Sequence, residues 1–166
     1  MRQAGQEFEE FAHARTSHLY RTAWLLVGES YQAEDLVQET LAKMFRAWRG
    51  ISRIDNPAAY AQTVMVRTFV SQRRRKRLTE QPYAEVPEIA EYRDDAELRV
   101  SLQRALAELG PLDRAVLVLR FFEDRSVEQV AFDLGKRPGA IRTRTHRALD
   151  RLRAVLGDGA AHLTSL

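Results

Sequence analysis

The 166-residue chain is long enough for one domain or two small ones, and its 45% hydrophobic and 30% charged residues are typical of a folded soluble protein. No apolar run reaches the roughly 20 residues that a membrane-spanning helix needs, so we expect no membrane insertion. The absence of cysteine excludes disulfides, thiolate metal sites and a cysteine nucleophile. Because the polar start of the chain also does not resemble a signal peptide, we expect a cytoplasmic location.

The net charge is only +3, but the charges are unevenly distributed along the chain. Residues 73–77 are five consecutive cations, residues 78–97 carry seven carboxylates against one arginine, and residues 136–153 carry seven cations against Asp150. Two basic segments separated by an acidic one are typical of a protein that contacts a polyanion, such as nucleic acid, at two places.

Apolar residues recur at helical spacing along nearly the whole chain, and no convincing alternating strand pattern is present. An apolar stripe on the second helix is predicted to include Phe45 and Trp48. The predicted elements are a helix over about residues 6–27, a helix from the capping residue Ser30 to about Trp48, a loop over 49–55, and a helix opened by Asn56 and Pro57 that runs to about Arg77.

Pro82 and Pro87, within the acidic segment, predict a flexible linker. After it, helices are predicted from Asp95 to Gly110 and over 112–122. Ser126 and Gln129 then form the sequence pattern of a capping box, and Gly135 separates two helices in a helix-turn-helix pattern. The predicted fold is all-α, with two small helical domains joined by a flexible acidic linker. The boundaries are 1–77, 78–95, 96–156 for the helix-turn-helix domain, and 157–166 for a tail.

The last helix of this pair has one face for its own core and another for DNA. Ile141, Thr145, Ala148, Leu149 and Leu152 share the packing face. The residues predicted to contact DNA are Thr143, His146 and Arg147 on the groove side, Arg142 and Arg144 on the flanks near phosphates, and Arg137 at the helix start, where free N–H groups also suit a phosphate. An ordinary surface helix with solvated arginines is the alternative, and the capped preceding helix with its glycine turn favours DNA binding.

Two separate segments resemble a known family. Residues 33–48 (AEDLVQETLAKMFRAW), followed by NPAAY at 56–60 and a helix with a basic end, resemble region 2 of bacterial RNA polymerase sigma factors. Residues 135–153 (GKRPGAIRTRTHRALDRLR) resemble region 4. The presence of these two regions alone, with a short linker, is similar to the extracytoplasmic-function (ECF, group 4) sigma factors of the sigma-70 family.

The resemblance implies a sigma factor that binds core RNA polymerase, recognises the −35 and −10 promoter elements and promotes strand opening. Its implied partners are promoter DNA, the coiled coil of the largest polymerase subunit, the flap of the second-largest subunit, and an anti-sigma protein. The implied polymerase-binding residues are Asp35, Gln38, Glu39 and Lys43. The implied −10 DNA-binding residues are Ile51, Ser52, Arg53, Asn56, Tyr60, Arg67, Ser71 and Arg74.

Several positions depart from the family pattern. Arg67 and Ser71 stand where the −10 helix commonly has asparagine and aspartate, so an inherited −10 preference does not follow. Thr145 replaces a usual leucine, and Arg137 stands where a better capping residue is usual.

Other functions receive less support from the sequence. The four histidines show no metal-ligand spacing with carboxylates, and there is no glycine-rich phosphate loop, so we expect neither an enzyme nor a cofactor or metal. A conventional helix-turn-helix regulator and a helical adaptor that binds only proteins remain as alternatives.

Overall fold

A computed structural model of the protein describes residues 2–78 and 94–157, with only the backbone described for 94–96. Throughout these two segments the regular structure is helical, as predicted. The elements are α1 (Arg2–Val27), α2 (Ser30–Arg46), α3 (Trp48–Ile51), α4 (Pro57–Leu78), α5 (Asp94–Ala107), α6 (Pro111–Leu117) with a π-helical turn at Val118–Phe122, α7 (Val127–Leu134) and α8 (Pro138–Leu156).

The N-terminal unit, α1 to α4, is built from two long helices and one intermediate one that bury a shared apolar face. Leu19, Ala23 and Leu26 of α1 are buried as predicted, and they belong to one core with Leu36 and Met44 of α2. The chain reverses at Gly28, whose φ of +75° is a conformation that few other residues adopt.

Three local predictions for this unit are wrong. Glu29, not Ser30, caps α2, because its carboxylate accepts bonds from the backbone nitrogens of Tyr31 at 2.7 Å and Gln32 at 2.8 Å. The predicted loop over 49–55 begins later, since residues 48–51 are helical. Phe45 is 57% exposed instead of lying in the core.

An aromatic cluster packs the start of α1 against the end of α2. The Trp48 ring centroid lies 4.9 Å from that of Phe11 and 5.3 Å from that of Phe8, and Phe45 packs on the outer side of Phe8 at 5.1 Å. Trp48 is buried, and its indole N–H has no hydrogen-bond partner among the described residues. Trp48 is therefore part of the packing that positions α3, not an accessible stacking surface.

The C-terminal unit, α5 to α8, contains the predicted helix-turn-helix. Ser126 and Gln129 form the capping box: the Ser126 hydroxyl accepts from Gln129 N at 3.1 Å, and the Gln129 side chain accepts from Ser126 N at 2.9 Å. Gly135, with φ of +62°, ends α7 in the left-handed conformation. Pro138 occupies the first turn of α8, where its missing N–H costs nothing.

The two units pack directly on each other, which the sequence did not predict. Their buried apolar residues form a single cluster, and α5 lies along α1 while α6 and α7 contact α4. Buried Arg114 of α6 donates to Leu26 O at the end of α1 and stacks over the Phe69 ring of α4 at 5.5 Å. The predicted linker 78–95 lies almost wholly outside the described residues, which resume at 94.

Gly28 should be intolerant of a side chain, since a Cβ there would lie 2.0 Å from Gln103 Nε2 of α5. Gln103 would have to move, and the positive φ would remain strained. We expect Gly28→Ala to lower the free energy of unfolding by about 1–2 kcal/mol, measured by urea denaturation. Gly5→Ala, in α1 with open space around it, is the matched control and should stabilise slightly. Equal effects of the two substitutions would contradict the close approach of α5 to α1.

Candidate nucleic-acid interface

The faces of α8 agree with the helical-wheel prediction. Ile141, Ala148 and Leu152 are buried, and Thr145 and Leu149 are half-buried. The opposite face is exposed and consists of Thr143, His146 and Arg147. Among the described residues, His146 and Arg147 have no hydrogen-bond or ion-pair partner, so both side chains are available to an external ligand.

The two flanking arginines of α8 are held by carboxylates of neighbouring helices. Arg144 pairs with Asp113 of α6 at 2.8 Å, and Arg142 pairs with Glu128 of α7 at 3.1 Å. These pairs join α8 to its supporting helices at the surface, outside the buried contacts of Ile141, Ala148 and Leu152. A phosphate contact by either guanidinium requires it to leave or share its carboxylate.

The first backbone N–H groups of α8 are not capped by a side chain. Arg137 is the N-cap residue, with an extended conformation (φ −81°, ψ 145°) and no side-chain capping bond. Arg137 is itself exposed, so a guanidinium and free helix N–H groups lie at the same end of the recognition helix.

The four residues predicted for the −10 element that precede α4 have three different environments. Ser52 and Arg53 are exposed between α3 and α4. Ile51 is only 6% exposed and packs in the core. The prediction that its side chain contacts DNA is therefore wrong. Asn56 is exposed, but its Oδ1 accepts from Ala59 N at 3.0 Å; it is the helix cap that the sequence predicted.

On α4 the predicted residues form one stripe with spacings of seven, four and three positions. Tyr60 is 39% exposed, Arg67 and Arg74 are exposed, and Ser71 is half-buried. The Arg67 Nε donates to the backbone oxygen of Asp133 in α7, so this side chain is engaged by the C-terminal unit. The stripe is therefore only partly free in the described arrangement.

The basic end of α4 is partly built into the fold. Arg73 lies over the Phe69 ring at 5.5 Å and donates to Gln32 Oε1 at 3.4 Å, and an Arg75 nitrogen lies 3.5 Å from Ser71 Oγ. Arg74 and Arg77 are exposed.

The predicted polymerase-binding residues of α2 also fall into two pairs. Asp35 and Gln38 are exposed. Glu39 and Lys43 pair with each other at 3.5 Å and are bound to α4, where the Thr68 hydroxyl accepts from Lys43 Nζ at 2.9 Å and Gln72 donates to Glu39. The α2 surface is thereby held rigidly against the helix that carries the −10 stripe.

Sequence reasoning missed a group of charged residues that joins the two units. Arg125 is 9% exposed and bonds to Ala59 and Thr63 of α4, while Glu123 accepts from Thr22 of α1. Isolated charges in a turn carry no periodic signal, so only the folded structure reveals this contact.

Within residues 2–78 and 94–157 no group of three histidine, aspartate or glutamate side chains is placed to hold a metal ion. No helix among the same residues is long and apolar enough to cross a bilayer.

Comparison with known proteins identifies the family. The model described as Sigma-70 region 2 matches residues 11–79, and the model described as Sigma-70, region 4 matches residues 99–152. The chain belongs to the sigma-70 family of RNA polymerase sigma factors. The two matched regions coincide with the two helical units, and the exposed α8 face lies within region 4.

Individual relatives agree with this assignment. The chain is 37% identical over 153 residues to an RNA polymerase sigma-E factor of Streptomyces antibioticus, covering 90% of this chain and 84% of that protein. It is 32% identical over 145 residues to the ECF RNA polymerase sigma factor SigL of Mycobacterium tuberculosis, covering 83% and 82%. The chain is thus an ECF sigma factor, a promoter-specificity subunit of RNA polymerase.

A solved structure is similar over nearly the whole chain. It is the sigma factor RpoE of Bartonella quintana in a co-crystal with the anti-sigma factor NepR, with a TM-score of 0.69 and 26% identity. The match covers 92% of this chain and 98% of that one.

The ion pairs of α8 predict that its arginines differ in their effect on stability. Arg144→Ala leaves the half-buried Asp113 without its partner and should lower the free energy of unfolding by about 0.5–1 kcal/mol. Arg147→Ala removes no contact within the protein and should change it by less than about 0.5 kcal/mol. Thermal denaturation at low and high salt measures both, and the Arg144 effect should shrink with salt. A larger effect for Arg147 would contradict the face assignment.

Proposed function

We propose that the C-terminal unit of this sigma factor holds the −35 element through the exposed face of α8. Thr143, His146 and Arg147 would enter the major groove, where an arginine fork pairs with a guanine edge. Arg137 and the free N–H groups at the helix start would hold a phosphate, and Arg142 and Arg144 would reach phosphates on the flanks. The observation that carries the proposal is that Thr143, His146 and Arg147 form a continuous exposed face of α8, on which His146 and Arg147 have no partner among the described residues, opposite the buried face of the same helix.

The N-terminal unit would capture the −10 element with α4 and the segment before it. Ser52, Arg53 and Asn56 precede the helix, and Tyr60, Arg67, Ser71 and Arg74 follow along one stripe. Unstacking a base costs a few kcal/mol, which cationic contacts and stacking on an aromatic ring such as Tyr60 would offset.

The α2 surface would bind the coiled coil of the largest polymerase subunit. Asp35 and Gln38 are free to form intermolecular contacts, while the Glu39–Lys43 pair keeps its geometry by bonding to α4. The C-terminal unit would in addition meet the flap of the second-largest subunit.

We further propose that the protein acts in the cytoplasm with polymerase and has no catalytic site of its own, since the chemistry of initiation would belong to the polymerase. The similar RpoE structure contains an anti-sigma factor, which supports an anti-sigma protein as a partner of this chain.

Initiation assays with purified core polymerase, this protein and a promoter library test the function. Specific initiation is expected with no other sigma factor present. DNA binding without initiation would indicate a conventional regulator instead, and neither activity would indicate a protein-binding adaptor.

In that assay Arg147→Ala should lower initiation that depends on the −35 element by about 10- to 100-fold, because a bidentate base contact is worth about 1–3 kcal/mol. Its affinity for core polymerase should be unchanged. Arg151→Ala removes an exposed cation one turn further along α8, beyond the three residues proposed to meet the bases, and serves as a control with a smaller expected effect. Loss of core binding in Arg147→Ala would show that α8 contacts polymerase through this face.

For a substitution on the proposed polymerase-binding surface of α2, the expected loss is in binding to core polymerase. Asp35→Ala should weaken binding to core polymerase by about tenfold, since an exposed charge at an interface pairs with the partner. The neighbouring Glu34 is also exposed, so Glu34→Ala is a matched control that should have a smaller effect. The dissociation constant of labelled protein for core polymerase measures both, and equal losses would argue against a specific role for Asp35.

A further inference from the structure

A cavity of about 660 Å³ lies where α1 meets α5 and the π-helical turn. Its apolar wall consists of Trp24 and Leu25 of α1, Val100 and Leu102 of α5, and Phe122. Small-molecule sites in proteins enclose about 300–1,000 Å³ and are lined mainly by apolar and aromatic side chains with a few polar groups. The cavity therefore has the size and the lining of such a site, and none of its lining residues is among those proposed above to bind DNA or polymerase.

Two arginines border this cavity, one from each helical unit. Arg21 of α1 and Arg99 of α5 both line it, and both side chains are exposed. Neither guanidinium has a hydrogen-bond or ion-pair partner among the described residues. A carboxylate has two oxygen atoms that each accept from a guanidinium, so one carboxylate is able to pair with both arginines.

The negative charge at the cavity is already engaged within the protein. Glu123 is the one acidic residue among the described residues that line it. Its Oε1 accepts from the Thr22 hydroxyl at 2.9 Å and lies 3.1 Å from His18 Nε2, and its side chain is only 10% exposed. A cationic ligand would have to displace these contacts, whereas an anion meets the two arginines directly. The charges of the lining therefore favour an anion.

Part of the apolar wall remains accessible to solvent. Phe122 is 40% exposed, and Trp24 and Val100 are half-buried. An apolar chain that occupies the space would bury this surface, and burial is favourable in proportion to the apolar area removed from water. It would also supply contact atoms to side chains that face an empty volume. The wall therefore favours a ligand with an apolar body.

We propose that this cavity binds a small single-chain amphipathic carboxylate, such as a free medium-chain fatty acid. The chain lies between Trp24, Val100 and Phe122, and the carboxylate pairs with Arg21 and Arg99. Such a ligand contacts α1 and α5, and hence both helical units, at once. The proposal does not depend on the DNA-binding and polymerase-binding roles proposed above, because it uses none of those residues.

Calorimetric titration of the full chain with three eight-carbon probes tests the charge of the ligand. The probes are octanoate, octan-1-ol and octylammonium, which share a chain and differ in the head group. We expect octanoate to bind most tightly and octylammonium most weakly. Hexanoate and decanoate extend the series, and each added methylene should tighten binding by about three- to fourfold because more apolar surface is buried.

Substitution of the two arginines tests where the carboxylate binds. Arg21→Gln and Arg99→Gln should each weaken octanoate binding by about three- to tenfold, since a hydrogen bond between charged groups is lost. Neither change should affect octan-1-ol. Arg104→Gln is the matched control, because Arg104 is an exposed arginine of the same helix that does not line the cavity. This variant should bind both probes like the unsubstituted chain.

Tryptophan fluorescence tests where the chain of the ligand binds. The protein has two tryptophans, and Trp48 lies in the aromatic cluster with Phe8 and Phe11. Octanoate should change the emission of the unsubstituted protein, and the change should vanish in Trp24→Phe. Val100→Phe adds volume at the wall and should weaken binding of octanoate and octan-1-ol alike.

Equal affinities for the three eight-carbon probes would overturn the proposal, and so would a loss of octanoate binding in Arg104→Gln as large as that in Arg21→Gln. A fluorescence change that persists in Trp24→Phe would place the ligand elsewhere and overturn it too. If Val100→Phe fails to fold by circular dichroism, the arginine variants, which alter exposed positions, still decide. Octanoate binding that appears only after Glu85→Gln with Glu88→Gln would assign the cavity to the acidic segment of this chain and overturn the small-molecule site.

Discussion

A buried guanidinium needs an acceptor for its donors, and in this protein several of those acceptors lie on the opposite helical unit. Arg114 donates to Leu26 O at the end of α1 and to Ala107 O and Leu109 O near the end of α5, where helix carbonyls lack internal partners. Arg125 donates to Ala59 O and to the Thr63 hydroxyl in the first two turns of α4. Since an unsatisfied buried donor costs about 1–3 kcal/mol, these bonds favour the packing of the two units that the shared apolar cluster also stabilises.

In this arrangement the two proposed DNA-binding surfaces differ in how far they are exposed. The face of α8 that we propose for the DNA groove is exposed, whereas Arg67 of α4 is engaged by α7. The proposed −35 surface is therefore exposed, while the proposed −10 surface is partly occupied by the C-terminal unit.

Sequence predictions were accurate where the interaction involves only a few neighbouring residues. The capping box at Ser126, the cap at Asn56 and the turn at Gly135 depend on a few neighbouring backbone groups, and all three are confirmed. The packing face of α8 follows from helical periodicity and is confirmed as well. The predicted cap of α2 was wrong because two residues able to cap a helix are adjacent in the sequence. Glu29 caps α2 instead of Ser30, since its longer side chain reaches two backbone nitrogens. Ile51 was assigned to DNA, but the core buries it.

The sequence by itself determined the family, the helical architecture and the face of α8 that is free to meet DNA, because motifs, caps and periodicity are properties of short segments. Only the tertiary structure decided that Arg142 and Arg144 are paired to carboxylates, that α5 to α7 pack on α1 and α4, and that Glu123 and Arg125 join the two units. Each of these contacts unites residues at least 14 positions apart and depends on the orientation of whole helices. A single charge in a turn gives no sign of which distant carbonyl or hydroxyl will satisfy it.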